Sequence, residues 1–211
     1  MEKKIINLQF GVMPITSEVE MRLDQLGFTP ETLMDAIEEH KSDCTGNPSI
    51  YCGTYGKYSS EKGICGLWID LSTFSDYDDF VTFCHAIHAD EAEPELMFQD
   101  FEGFPKEYYN ESGFDEDDFN AVREYSELCE KYSPEAVDAF IDWGCEDLEH
   151  FEDCYMGEYD SEEDYAREYV EECYNLEKMG DLAYYFDYEA YARDLFMCDY
   201  HFDNGYVFQN Y

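Results

Sequence analysis

Acidic runs extend through the whole chain, and nearly every run is interleaved with Tyr, Phe or Leu at helical or strand spacing. The chain carries 52 Asp plus Glu against 12 Lys plus Arg, a formal net charge of −40, together with 20 Tyr and 16 Phe. Acidic disordered tails are poor in aromatic residues. With 45% hydrophobic residues the chain can build real cores. We therefore predict a folded protein that holds its carboxylates on a scaffold.

The same charge balance limits the shape and the partners of the chain. Carboxylates in such excess repel one another, so we expect an elongated or modular shape that spreads them. Binding of nucleic acid normally requires Lys and Arg to neutralise phosphates, and no basic stripe occurs in the sequence. The composition therefore excludes nucleic acid as a direct ligand and favours a strongly basic protein surface as the partner.

Targeting and cofactor signals are missing from the sequence. The N-terminal MEKKIINLQF has no signal-peptide features, and no stretch approaches the roughly 18 apolar residues of a membrane span. Nine cysteines without a CxxC pair favour a reducing cytoplasm and free thiols, with no membrane contact. Because EF-hand, P-loop and nucleophile motifs are absent, no metal, cofactor or catalytic residue is predicted.

Cys84, His85 and His88 come nearest to a metal-binding pattern, since His side chains at i and i+3 share one face of a helix. A convincing third and fourth ligand is missing nearby. We therefore interpret the two histidines as a surface pair.

Turn signals and composition divide the chain into four segments of an α+β protein with small antiparallel sheets. Residues 1–47 form an N-terminal extension, whose role stays open between an added binding surface, a cap on the first sheet edge and a dimer contact. A ββαβ module (48–105), a small all-helical module (106–147) and a C-terminal α+β module (148–211) follow. Each segment is more acidic than the one before it.

Capping residues and apolar spacing predict the individual elements. Thr29 and Ser133 each precede a Pro at the first position of a helix, which is a favoured start. The predicted elements are a strand at 5–10, a helix from Pro30, a hairpin of strands 50–58 and 64–71 with a turn at 59–63, a helix at 76–88, a strand at 96–101, helices after Asp118 and Ser133, a strand at 154–159, a helix after Ser161, and a final hairpin of 200–202 and 206–208.

The stretch from Leu182 to Tyr200 contains an amphipathic helix with a defined start. Asp187 is placed as its N-cap, where a carboxylate meets the open N–H groups of the first turn. The helix has one apolar face, Tyr188, Tyr191, Ala192, Leu195 and Phe196, while Glu189, Arg193 and Asp194 lie on or near the polar side.

Three blocks of the sequence together resemble the ArdA family of antirestriction proteins, whose members mimic DNA and block type I restriction–modification enzymes. The blocks are the Leu182 stretch, IYCGTY (50–55) with GLWIDL (66–71), and ELMFQD (95–100). The resemblance implies that the antirestriction motif comprises Leu182, Tyr185, Phe186, Asp187, Tyr188, Glu189, Ala190, Ala192, Arg193, Asp194, Leu195 and Phe196. It also implies a homodimer formed by the last module, for which we predict contacts by Phe151, Tyr155 and Met156.

DNA mimicry requires an array of carboxylates in place of phosphates, and about 40 net charges correspond to the phosphates of roughly 20 base pairs. We expect the array to occupy the DNA-binding groove of the methyltransferase core of a type I enzyme, with no chemistry of its own. The predicted phosphate mimics are Asp70, Asp76, Asp78, Asp79, Asp115, Glu116, Asp117, Asp118, Glu146, Asp147, Glu149, Glu152 and Asp153.

Other interpretations of the acidity stay open at this point. The chain can be an acidic decoy for another DNA-binding protein, such as a nucleoid protein or a topoisomerase. A metal-binding acidic protein requires carboxylates that converge on one site, which the spacing does not indicate. Halophilic adaptation predicts unfolding at low salt and fits poorly with the abundance of Phe and Tyr.

Overall fold

The computed structural model has the α+β fold that the sequence predicts, with small antiparallel sheets and helices. It describes residues 4–60, 64–145, 147–174 and 176–210. The chain forms two compact units, Met1–Ser126 (unit 1) and Glu127–Tyr211 (unit 2). Their boundary falls inside one helix, α5 (Glu116–Lys131), and so differs from the boundaries predicted from composition.

Unit 1 combines a two-stranded and a three-stranded antiparallel sheet with helices. Its elements in chain order are β1 (Ile5–Asn7), β2 (Val12–Pro14), α1 (Ser17–Gln25), α2 (Pro30–His40), β3 (Ser49–Thr54), α3 (Tyr55–Tyr58), β4 (Leu67–Asp70), a 3-10 turn (Leu71–Thr73), α4 (Tyr77–Ala86), β5 (Leu96–Glu102), a 3-10 turn (Lys106–Tyr108) and the first part of α5.

The three-stranded sheet has the order β4-β3-β5, so the first strand of the predicted ββαβ module lies in the centre. All six residues of β3 are buried, and both of its edges are paired with neighbouring strands. Phe80 and Phe83 of α4 are fully buried, and Phe80 stacks on Phe98 of β5 at 5.8 Å between ring centroids. Phe119 of α5 extends this aromatic core.

The N-terminal extension covers the free edge of β4. Phe10 exchanges two backbone hydrogen bonds with Gly66, and Lys41 forms a β-bridge with Ile69. The backbone N–H of Trp68 donates to the Gln9 side chain at 3.0 Å, and its carbonyl accepts from the Ser42 N–H at 2.8 Å. Of the three roles left open by the sequence, a cap on the sheet edge is therefore the one that the structure shows.

The predicted hairpin between β3 and β4 is wrong in its connection. Residues Tyr55 to Tyr58 form the helical turn α3 instead of continuing the strand, and β4 begins at Leu67 rather than at residue 64. The Thr54 hydroxyl accepts a hydrogen bond from the Lys57 N–H at 3.1 Å and so starts the turn. The buried ion pair between Lys57 and Asp90 stabilises this helical turn. The residues 61–63 of the predicted turn lie outside the described residues.

Unit 2 packs helices against a three-stranded antiparallel sheet of order β6-β8-β7. Its elements are the end of α5, α6 (Pro134–Asp142), a 3-10 turn (Leu148–His150), α7 (Phe151–Cys154), β6 (Tyr155–Glu158), α8 (Glu162–Cys173), a 3-10 segment (Leu176–Tyr185) interrupted at Gly180, α9 (Tyr188–Cys198), β7 (Tyr200–Asp203) and β8 (Tyr206–Gln209). The hairpin of β7 and β8 confirms the turn signal, since Asn204 and Gly205 both have positive φ.

Two aromatic groups fill the core of unit 2. Phe140 of α6 contacts Phe151 and Phe208 at centroid distances of 5.3 and 5.4 Å. On the other side of the unit, α8 packs on α9 through Tyr165 and Leu195. Within the residues that the structure describes, no helix is long and apolar enough to cross a membrane.

Candidate functional site

Carboxylates at the first turn of α4 form one exposed acidic group. Asp76 is the N-cap, and its side chain accepts a hydrogen bond from the Asp79 N–H at 2.9 Å. Asp79 in turn accepts from the Ser75 hydroxyl at 2.8 Å, while Asp78 is exposed beside them. Negative charge is stabilised at this end of a helix, which favours all three predicted mimics. The backbone directly holds the carboxylate of Asp76.

A second acidic group begins α5. The Asp115 side chain accepts from the N–H groups of Asp117 and Asp118, and the Asp118 side chain accepts from the Asp115 N–H at 3.2 Å. This reciprocal cap fixes both carboxylates, and Glu116 and Asp117 are exposed next to them. Partial burial raises the pKa of Asp118, and the Asp115 and Asp117 charges add to that effect.

The third predicted group lies in unit 2, around the 3-10 turn and α7. Asp147 caps the turn by accepting from the Glu149 N–H at 3.1 Å. Glu149, Glu152 and Asp153 are exposed, and Glu152 pairs with Lys131 at 2.5 Å. The predicted mimic Glu146 lies outside the described residues.

Asp70 differs from the other predicted mimics because it is only 9% exposed. One carboxylate oxygen accepts from the Asn47 amide at 2.7 Å, and the other accepts from the N–H and the hydroxyl of Ser72. These bonds hold the end of β4 and start the next turn. Asp70 therefore serves the fold and offers little surface to a partner.

The first turn of α8 carries exposed carboxylates that were not included among the predicted mimics. Ser161 caps this helix by accepting from the Asp164 N–H, and its hydroxyl donates to the Asp164 side chain at 2.8 Å. Glu162 and Asp164 are exposed, and Glu163 is half-buried beside Arg167 at 2.7 Å. The signal for this group was present in the sequence as the run Ser161-Glu162-Glu163-Asp164, because acids after a capping Ser mark a helix start.

The helical half of the predicted antirestriction motif is α9, and its expected geometry is confirmed. Asp187 caps the helix by accepting from the Ala190 N–H at 3.0 Å. Ala192 and Leu195 are buried in the core of unit 2, with Tyr188, Tyr191 and Phe196 half-buried on the same face. Glu189, Arg193 and Asp194 are exposed. This half of the motif builds unit 2.

The other half of the motif exposes apolar side chains. Leu182 is 66% exposed, Tyr184 89% and Tyr185 82%, although side chains of this kind are usually covered. Tyr184 is not among the residues of the predicted motif. Its position in the sequence gives no signal that distinguishes it from its neighbours. A groove of about 530 Å³ runs beside this surface, lined by Glu163, Arg167, Ala183, Tyr184, Phe186, Asp187, Tyr188 and Glu189.

Arg167 lines one wall of this groove. Its guanidinium lies 4.2 Å from the centre of the Tyr188 ring while it pairs with Glu163. Cation–π stacking and the ion pair together hold the arginine against the wall of the groove. The groove is therefore lined by carboxylates, one fixed cation and exposed aromatic rings.

The predicted dimer contacts have different surroundings. Phe151 is fully buried inside its own chain, between Tyr132, Phe140 and Tyr155, and so is not a surface contact. The apolar residue was assigned to a surface because spacing alone does not show which rings form the core. Tyr155 and Met156 are half-buried and keep part of their surface exposed.

The histidines 85 and 88 do not form the predicted surface pair, because His88 is fully buried. Its Nδ1 lies 2.8 Å from the Lys57 ammonium, which also pairs with Asp90 at 2.6 Å. Burial, and to a lesser degree the Lys57 charge, lowers the pKa of His88 to about 3. The imidazole is therefore neutral and accepts from Lys57. In the described part of the chain no group of three or more His, Cys, Asp or Glu residues is arranged to hold a metal ion.

A family model described as antirestriction protein (ArdA) matches residues 50–208, which is most of the chain. The match includes all of the acidic groups described above and the whole of α9. Comparison with curated proteins and with solved structures gave no significant match.

Proposed function

This chain belongs to the ArdA family of antirestriction proteins, and from this premise we propose that it acts as a DNA mimic. In this proposal its carboxylates occupy the DNA-binding groove of the methyltransferase core of a type I restriction–modification enzyme. Binding is stoichiometric, requires no catalysis and excludes duplex DNA by competition.

The observation that supports this proposal most directly is the way in which the acidic groups are held. Carboxylates at the starts of α4, of α5 and of the 3-10 turn before α7 accept hydrogen bonds from backbone N–H groups. At the start of α8, the Asp164 carboxylate accepts from the capping Ser161 hydroxyl. A tethered carboxylate loses less conformational freedom on binding than one on a flexible chain, so it is a better substitute for a phosphate of fixed position. The array proposed here leaves out Asp70, because that carboxylate is engaged in the fold.

We also propose that the protein is a homodimer formed through unit 2. Exposed apolar surface of this kind marks interaction sites in soluble proteins. Leu182, Tyr184 and Tyr185 supply that surface, with Tyr155 and Met156 as further candidates. The light-scattering mass of the full chain tests this step, since a monomer at micromolar concentration contradicts it.

The test of inhibition uses unmethylated plasmid, a purified type I enzyme and increasing amounts of the full chain. We expect cleavage and methylation to stop near equimolar protein, while a type II endonuclease on the same plasmid stays active. Undiminished cleavage at large excess contradicts the proposal. Equal inhibition of both enzymes favours the second candidate, a general acidic decoy for DNA-binding proteins, which the net charge also supports.

A matched pair of variants separates the array from charge in general. Asp76→Asn, Asp78→Asn and Asp79→Asn together remove three charges from α4, and Asn preserves the N-cap. Glu18→Gln, Glu20→Gln and Asp24→Asn remove three exposed charges from α1. If each exposed charge contributes about 0.5 kcal/mol to binding, about tenfold more of the α4 variant is needed for half-inhibition. An equal loss in the α1 variant contradicts a role for the array.

A further inference from the structure

The outer face of the unit 1 sheet carries a groove that the acidic array does not include. Trp68 of β4, Tyr51 of β3 and Asp100 of β5 are register partners, so their side chains stand in one row across the three strands. The groove has a volume of about 320 Å³ and is lined by Phe10, Tyr51, Ile64, Trp68, Gln99 and Asp100.

Aromatic rings form the floor and two walls of this groove. Phe10 meets Tyr51 edge to face at 5.7 Å between centroids, and Trp68 meets it at 5.8 Å with an interplanar angle of 70°. Phe10 is 44% exposed and Ile64 61%, so the opening is accessible. The Phe10 wall belongs to the N-terminal extension, outside the residues that the family model matches.

Each polar residue that lines the groove has an oxygen that can accept a hydrogen bond. The Tyr51 hydroxyl is buried and has no hydrogen-bond partner among the described residues. The Gln99 side chain extends over Gly53, where a Cβ would lie only 2.7 Å from its Oε1. Asp100 is exposed at the opening, with one oxygen accepting from the Phe101 N–H at 3.0 Å. A buried hydroxyl without a partner is unusual in a folded protein and calls for an explanation, and its lone pairs can accept a hydrogen bond from a ligand that supplies a donor.

We propose that this groove binds the guanidinium of an arginine side chain presented by a basic protein partner. The identity of that partner rests on the proposed function. A guanidinium is flat, carries several N–H donors and stacks on aromatic rings, so it matches the aromatic walls and the oxygen acceptors together. The carboxylate of Asp100 and the net charge of −40 both favour a cation over a neutral ligand. Unit 1 therefore recognises one arginine specifically, beside the diffuse attraction of its carboxylates.

The test is an NMR titration of the full chain with N-acetylarginine amide in about 150 mM salt. Trp68 and Trp143 give separate indole N–H signals, which Trp143→Phe assigns. We expect a saturable shift of the Trp68 signal and none of Trp143. N-acetylcitrulline amide has the same shape without the charge, and N-acetyllysine amide has the charge without the flat donor group. An equal Trp68 shift with either control, or no saturable shift, overturns the assignment.

Two variants locate the interaction while keeping Trp68 as the probe. Asp100→Asn and Phe10→Ala each change an exposed side chain, and each should weaken binding of the arginine probe about three- to tenfold. Asp24→Asn removes the same charge from an exposed position on α1 and should change it less than twofold. If Asp24→Asn weakens binding of the arginine probe equally, the effect comes from the overall charge of the protein, and the assignment of the groove as the binding site is overturned.

The inhibition assay distinguishes failure of this inference from failure of the proposed function. If the wild-type chain inhibits the type I enzyme but the probe does not bind at Trp68, the groove is refuted and the DNA mimic stands. If the probe binds as expected but the wild-type chain does not inhibit, the arginine site stands and the proposed function is refuted.

Discussion

Asp90→Asn tests whether the buried ion pair of unit 1 determines its local structure. The Lys57 ammonium is 2.6 Å from Asp90 Oδ1 and 2.8 Å from His88 Nδ1, and the side chains of Lys57 and Asp90 are only 4% and 10% exposed. The His88 Nε2–H donates to the Cys52 carbonyl at 3.3 Å, so the imidazole can offer Lys57 a lone pair but no charge. In the variant, the ammonium is left buried without a counter-ion.

The magnitude follows from the burial of this pair. Removing one partner of a buried ion pair costs about 3–5 kcal/mol, because the remaining charge has lost its hydration. Asn keeps one acceptor for Lys57, which places the expected loss near the lower end, about 3 kcal/mol. With a slope of about 2 kcal/mol per molar urea, the unfolding midpoint of unit 1 falls by about 1.5 M.

The two tryptophans allow each unit to be followed separately, since Trp68 is in unit 1 and Trp143 in unit 2. Urea unfolding of Asp90→Asn in a Trp143→Phe background reports unit 1. As the control, Glu163→Gln in a Trp68→Phe background removes the pair with Arg167, which solvent reaches on both sides, and should cost less than about 0.5 kcal/mol.

A double variant, Lys57→Met with Asp90→Asn, removes both charges and should be more stable than Asp90→Asn alone. If Asp90→Asn lowers the unfolding free energy by less than about 1 kcal/mol, the ammonium is hydrated and the reasoning from burial is wrong. If the double variant is the less stable one, the cost lies in packing rather than in charge.

Three further predictions concern pH, the motif and salt. The folded pKa of His88, lowered to about 3, lies below its usual 6.5, so its contribution to stability is complete above pH 6.5 and is lost as pH falls. The stability gap between wild type and His88→Gln should narrow by about 1.4 kcal/mol per pH unit between about pH 6 and pH 5, and a constant gap in urea titrations contradicts this. Leu195→Asp buries a carboxylate in the unit 2 core and should lose at least about 3 kcal/mol, measured by Trp143 fluorescence, whereas Glu189→Gln on the exposed face should lose almost none. If Leu195→Asp stays a folded dimer yet loses inhibition, the motif is a direct contact. Carboxylates repel one another, and salt screens this repulsion. Raising NaCl from about 20 to 500 mM should therefore raise the melting temperature, while circular dichroism shows the chain folded at both concentrations. A chain that is unfolded at low salt would instead indicate halophilic adaptation.

Local features of the fold could be predicted from the sequence because their causes are local. Thr29, Ser133, Ser161 and Asp187 each cap a helix as expected, since a short polar side chain needs only the N–H groups of the next turn. The apolar face of α9 follows in the same way from a period of 3.6 residues. The acidic starts of α4 and α5 were predicted for the same reason.

The fate of chemically similar residues could not be predicted, because it depends on partners far away in the sequence. Asp70 and Asp76 each cap a helical turn, yet Asn47 helps to bury the first while the second is exposed. His85 and His88 share a helical spacing, but His88 alone meets Lys57, which lies 31 residues earlier. Phe151 and Tyr184 are both aromatic residues in acidic surroundings. Phe151 is buried by Phe140 and Phe208, whereas Tyr184 is exposed.

The sequence by itself determined that the chain folds, that it is α+β, that its carboxylates gather at helix starts and that it resembles the ArdA family. The first three properties depend on composition, capping and periodicity, and the resemblance depends on three sequence blocks, so each is readable without knowledge of long-range contacts. The tertiary structure decided which carboxylates are available, where the N-terminal extension packs and which rings form an open groove. The exposure of a side chain depends on all the long-range contacts around it, and these contacts cannot be predicted from local sequence spacing.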